Sequence, residues 1–157
     1  MSEQKTSIQF YHLTATPLER ALPKLLEKAV VGGYRALLLC ASDTQIEQLD
    51  KLLWIYDNNS FLPHGKINDP QPENQPILLA TAETTLNKAN LLVVTDGRSV
   101  NIAMEYERIL DIFDGKDEQA VSLARTRWKE YKDAGYKLYY FRQTEQGSWQ
   151  KNYTDSN

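Results

Sequence analysis

Arg125, Lys129 and Lys132 recur at i, i+4 and i+7 within LARTRWKEYKDAGYKL, residues 123–138, and Trp128 stands among them. These sixteen residues hold five cations and three aromatics, in a chain whose formal net charge is −3. On a helix turning roughly 100° per residue, Val121, Ala124, Trp128 and Tyr131 form one stripe, expected to face the core. The three cations form a second stripe along its border. Trp128 falls at the seam, Arg127 on the opposite border, and Thr126, Glu130 and Asp133 towards solvent. Such side chains bind; they do not make bonds. A short acidic peptide with an apolar end would meet the cations with its carboxylates and the indole with its apolar side chain. A plain solvated amphipathic helix presents the same face, its lysine stems lying on apolar surface and their heads in water. Three cations are too few for strong DNA binding, which grows with the number of phosphates neutralised. A single-stranded DNA groove would need a longer basic path with stacking aromatics.

Residues suited to bond chemistry are sparse. The two histidines are His12, inside a strand-like run, and His64, after a proline in a loop. Both read as structural or surface residues. No cysteine–histidine cluster has zinc spacing, and no serine lies in a GxSxG elbow. Cys40 is the one cysteine, within ALLLCA, and reads as a small core residue. Asp96-Gly97-Arg98 follows the run LLVVT at a strand end, where active-site acids often sit. An α/β nucleotide-binding enzyme acting near Asp96 is therefore the alternative to a binding protein, although a turn explains the same residues.

The elements that must position these groups are legible from periodicity. The chain has 157 residues, of which 41% are hydrophobic and 25% charged, as in an ordinary globular domain. One domain over 1–157 is expected, with an ordered core over about 7–142 and a tail from 144 that is polar and mobile apart from Trp149. The sequence pI near 5.4 argues against binding nucleic acid through global charge. A lone cysteine fits a reducing compartment, and no run has the length of a membrane span or signal core, so a cytoplasmic protein is expected. Residues 8–13 read as the first strand. Thr16, Pro17 and Glu19 read as a capping box opening a helix that Pro23 kinks or delays and Gly32-Gly33 ends. Residues 36–41 form a buried strand, and Ser42 with Gln45 caps a second helix. Residues 57–76 read as a long surface loop. Runs 77–82, 91–96 and 107–113 read as strands, Asp117 caps the cationic helix, Gly135 ends it, and 136–142 alternate as a final strand.

Alternating apolar strands and amphipathic helices predict a three-layer α/β fold, a mostly parallel sheet with helices on both faces. The architecture is Rossmann-like. After the first strand, however, TATPLER contains neither GxGxxG nor GxxxxGK[ST] to bring amides onto phosphates. No cofactor and no metal are expected.

Over residues 7–142 the chain resembles the chi subunit of bacterial DNA polymerase III holoenzyme. The resemblance rests on FYHL, the segment LLxCxSDxQIExLDxLLW, FLPHG, the pair ILL…NLLVV, and LARxRWKxYKDAGY, in that order. It implies a noncatalytic accessory subunit of a nucleotidyltransferase complex, touching DNA only indirectly and no membrane. It also implies binding of the acidic C-terminal tail of single-stranded-DNA-binding protein (SSB) at Arg125 and Lys129, with Trp128 where the family often has tyrosine. Lys132 joins them by helix geometry alone. Trp54 and Phe61 correspond to the positions that dock the psi subunit of the clamp loader, or a helicase. Without the resemblance, both aromatics read as core residues beneath the long loop.

Overall fold

The computed structural model describes residues 6–56, 62–98 and 106–155, with side chains as far as 151. In chain order the elements are β1 (Ser7–Leu13), α1 (Leu18–Val31), β2 (Ala36–Leu39), α2 (Asp43–Ile55), β3 (Gly65–Lys66), β4 (Ile77–Ala80), β5 (Leu91–Val94), β6 (Arg108–Asp114), α3 (Glu118–Asp133), β7 (Lys137–Gln143) and β8 (Trp149–Asp155). The result is an α/β fold with mixed strand pairing and flanking helices. The chain divides into two compact units, 19–93 and the remainder.

In the unit 19–93, neighbouring strands run β3-β4-β2-β5. β2 and β3 both pair parallel to β4. The strands ALLL, ILLA and LLVV are buried along their whole length, as short apolar runs covered on both faces must be. Ser42 caps α2 by accepting the Gln45 amide at 3.2 Å, and the Gln45 side chain accepts from Ala41 N–H at 2.6 Å. The stretch expected as a long irregular loop contains β3 and a 3-10 turn over Pro72–Asn74. Cys40 is fully buried. α1 starts at Leu18 and runs through Pro23 to Val31.

In the other unit the order is β6-β1-β7-β8. β1 pairs parallel with β6 and β7. Register decides what α3 covers. Phe10 stands beside Asp111 and Tyr140, and His12 beside Phe113 and Arg142. Paired residues of parallel strands share a face, so these two rows line one side of the sheet. α3 packs on β6 and β7. Its first turn is capped by Asp117, which accepts from the amides of Gln119 and Ala120. Gly135, with φ of +90°, ends it in the left-handed region that glycine adopts without strain.

Residues from 144 differ from the expected tail. They turn at Gly147 and return as β8, antiparallel to β7, so the pairing is mixed. The reason is aromatic: Tyr11 stacks on Phe141 and meets Trp149 edge-on, both ring pairs at 4.9 Å between centroids. Polar composition concealed the strand that carries this indole.

Arg127 also departs from its expected border position. It is 3% exposed, and the buried stripe of α3 is Ala124, Arg127 and Tyr131. Its guanidinium grips Asp111, itself 2% exposed, through Nε–Oδ2 at 2.7 Å and Nη2–Oδ1 at 2.8 Å. Nη1 donates to the Gly97 carbonyl at 3.0 Å. Burial pushes the Asp111 carboxyl up, and the hydrogen bonds and charge of Arg127 oppose that shift. Burial also works against the Arg127 charge, yet the carboxylate holds it more firmly protonated than usual. Breaking one side of such a pair strands a buried charge. Asp111→Ala should therefore lower stability by about 3–5 kcal/mol in urea unfolding, whereas Asp111→Leu with Arg127→Met should lose much less.

Candidate functional site

α3 delivers four of its side chains to one side of a cleft of about 390 Å³, and the β1, β6 and β7 rows supply the other. Phe10, Phe113, Val121, Ala124 and Trp128 make its apolar surface; His12 and Tyr140 make the polar part. Trp128 meets Phe10 at 5.3 Å and Tyr140 at 6.2 Å, each edge-on, which holds the indole half-buried as a wall. Arg125 and Arg142 complete the lining. The cleft is near the small end of the roughly 300–1,000 Å³ range of ligand pockets, room for one large side chain and a polar group.

Arg125, Lys129 and Lys132 are all exposed on α3, as helix spacing requires. Among the described residues, Arg125 and Lys129 have no hydrogen-bond or ion-pair partner. Trp128 and Arg125 line the cleft; Lys129 and Lys132 lie outside its lining. Sequence reasoning read His12 as a structural residue and passed over Tyr140 and Arg142. The signal was the shared parity of three adjacent strands, which needs the register to be known.

His12 is 7% exposed and its Nδ1 is hydrogen-bonded to the Tyr140 hydroxyl. A Cβ at Gly115 would overlap the imidazole, so the turn after β6 closes on the ring only with glycine there. Burial, with the Arg142 charge next, lowers the His12 pKa below its ordinary value; a hydrogen bond to the Gly115 backbone and Asp114 pull the other way.

Residues 6–139 match the family model described as DNA polymerase III chi subunit, HolC. The chain belongs to the DNA polymerase III chi subunit family. It is 29% identical over 103 residues to the probable DNA polymerase III subunit chi of Rickettsia prowazekii, an alignment covering 66% of this chain and 62% of that protein, less than two thirds of its length. It is 27% identical over 137 residues to the DNA polymerase III subunit chi of Pseudomonas aeruginosa, covering 85% of this chain and 94% of that one. Against the Haemophilus influenzae subunit the identity is 27% over 134 residues, 83% and 92% of the two chains.

Trp54, the first of the two aromatics expected to dock a partner, falls in the unit 19–93. Trp54, near the end of α2, is 55% exposed and Ile55 66%. Trp54 is thus a surface residue, with its ring 4.8 Å from that of His64. His64 is buried, its Nδ1 facing the Leu62 carbonyl at 2.7 Å and its Nε2 the Asp50 carboxylate at 3.1 Å. Phe61 lies outside the described residues. Asp96, the acid considered for catalysis, holds Arg98 through Oδ2–Nη2 at 2.7 Å. Among the described residues no cluster of three or more His, Cys, Asp or Glu is placed to hold a metal, and no helix is long and apolar enough to cross a membrane.

Because the folded state holds His12 neutral below its ordinary pKa, the unfolded chain binds more protons in the window beneath about 6.5. Stability should rise with pH through that window and be lost on acidification. Urea unfolding at pH 7.5 and 5.5 should show a smaller acid loss in His12→Gln than in the parent.

Proposed function

We infer that this chain acts as a noncatalytic accessory subunit of DNA polymerase III in DNA replication, linking the clamp loader to SSB. The tail of SSB is acidic and ends in an apolar residue with a free carboxylate. The observation that carries the tail-binding assignment is the exposed Arg125–Lys129 face without acidic partners among the described residues, bordering a cleft walled by Trp128. Lys132 extends that face by one turn. Trp54 and Phe61 are assigned to the psi subunit or an equivalent clamp-loader component, or to a helicase. The exposure of Trp54 supports this, since exposed aromatics are enriched at binding hot spots. The protein is cytoplasmic on this reading.

A Rossmann-like, three-layer arrangement with helices on both faces, forming one domain, belongs to the same proposal; the parallel pairings of β1 and β4 support it. Nucleotide binding is disfavoured by the loop after β1. There the Gln143 side-chain oxygen accepts the amides of Thr14, Ala15 and Thr16 at 3.0, 2.8 and 3.1 Å. Consecutive amides at such a strand end are what a phosphate would use. The engagement of Asp96 by Arg98 weakens the alternative of an enzyme at the strand ends in the same way.

Titration with a synthetic SSB tail peptide, with ATP and oligo-dT as controls, should show binding of the peptide alone, weakening as salt rises. Lys129→Glu should reduce peptide affinity at least about tenfold, about 1.4 kcal/mol. Trp128→Ala should weaken it with less change in salt dependence. Unaltered binding by Lys129→Glu would return α3 to a solvated face.

The two surfaces should be separable, because effects at independent sites add. Well-folded Phe61→Ala and Trp54→Ala proteins should bind the tail peptide as the parent does while failing to capture purified psi subunit. Arg125→Ala should do the reverse.

A further inference from the structure

Arg142 carries no mark in the sequence beyond ending the alternating run YKLYYFR. In the fold it stands in register with His12 and lines the same cleft as Arg125. The two arginines come from different elements, β7 and α3. Both line the cleft with His12 and Tyr140, and the charges of both act on the imidazole and on the phenol, so both lie close to its polar part. Both are exposed, and among the described residues neither has a hydrogen-bond or ion-pair partner. Two unneutralised cations beside a histidine and a phenol form an anion site. Beneath them, the rings of Phe10, Phe113 and Trp128 form a slot.

The combination is selective. A phosphate or an internal aspartate would satisfy the cations and leave the slot empty. A buried-type side chain alone would fill the slot and leave the cations. One peptide residue carries both groups a bond or two apart: the last one, with its free α-carboxylate. We propose that Arg142 is a further binding residue of this cleft, clamping with Arg125 the α-carboxylate of an acidic peptide whose C-terminal apolar side chain enters between Phe10, Phe113 and Trp128. The proposal rests on the tail-binding reading above and divides its labour. Arg125 and Arg142 read the chain end, and Lys129 attracts the acidic residues before it. Guanidinium suits this role because its fork can meet both carboxylate oxygens.

The test uses the full chain and fluorescence polarisation of two labelled peptides: an acidic tail ending in phenylalanine as the free acid, and the same peptide as its C-terminal amide. The parent should prefer the acid by about tenfold or more, since amidation removes the clamped charge. Arg142→Ala should abolish that preference by weakening the acid and leaving the amide unchanged. Arg142→Lys should restore part of it. Lys129→Ala should weaken acid and amide alike. Circular dichroism checks the fold of each variant, and the exposure of Arg142 leaves folding undisturbed. If Arg142→Ala keeps the full acid preference while Lys129→Glu still weakens binding at least about tenfold, the tail reading stands and the role of Arg142 falls. Equal loss of acid and amide in Arg142→Ala also overturns the clamp. Failure of the parent to bind either peptide overturns both.

Discussion

The buried pair between Asp111 and Arg127 sets the rotation of α3, and the exposed cationic face of that helix follows from it. A guanidinium and a carboxylate that are each under 5% exposed cannot part without leaving a charge in a dry interior. Bidentate geometry also fixes direction, because both carboxylate oxygens must meet their own nitrogens. Once Arg127 points into β6, a helix turning about 100° per residue has no freedom left. Arg125 and Lys129 must lie outside, and Trp128 must fall between, resting on Phe10. An apolar residue at 127 would pack as well, but could slide among neighbouring rotations.

That constraint moves the site away from where α/β proteins commonly place one. The strand-end amides after β1 are satisfied by Gln143, whose own amide donates to the Thr16 hydroxyl at 2.7 Å. The strand-end acid, Asp96, is satisfied by Arg98. Arg125 and Arg142, which have no hydrogen-bond or ion-pair partner among the described residues, lie instead on the helix-covered face of the β6-β1-β7 sheet, where α3 covers the strand rows incompletely and the cleft opens. That face presents a grooved wall of rings with cations on its rim. Binding energy from such a rim is salt-sensitive and its apolar slot is not, so the two halves respond differently to solution conditions.

Much of this was readable from residues in order. Ser42 and Asp117 announce their helices because a short polar side chain before an apolar-periodic run has one favourable use. The cations of α3 were found by spacing alone, and so was the exposed side of that helix. Arg127 was misplaced because helix periodicity prices every arginine as a surface residue. Its partner, an aspartate within ILDIF, was the available clue: an acid inside a buried strand requires a cation somewhere. β8 was hidden because Trp149 acts through Tyr11, far away in the chain. The cleft was invisible for a related reason. His12, Tyr140 and Arg142 belong together only through the pairing of β1 with β7, and no local pattern encodes a register between strands so distant in sequence.

The most direct measurement is amide and side-chain chemical-shift mapping of the full chain during addition of an acidic peptide that ends in phenylalanine. The account predicts that the largest changes fall on α3 between 121 and 132, on residues 10–12 and on β7, with the Trp128 indole shifting and the Trp54 indole unchanged. Large changes at Trp54, or at the Asp96 turn, with α3 and β7 silent, would contradict it.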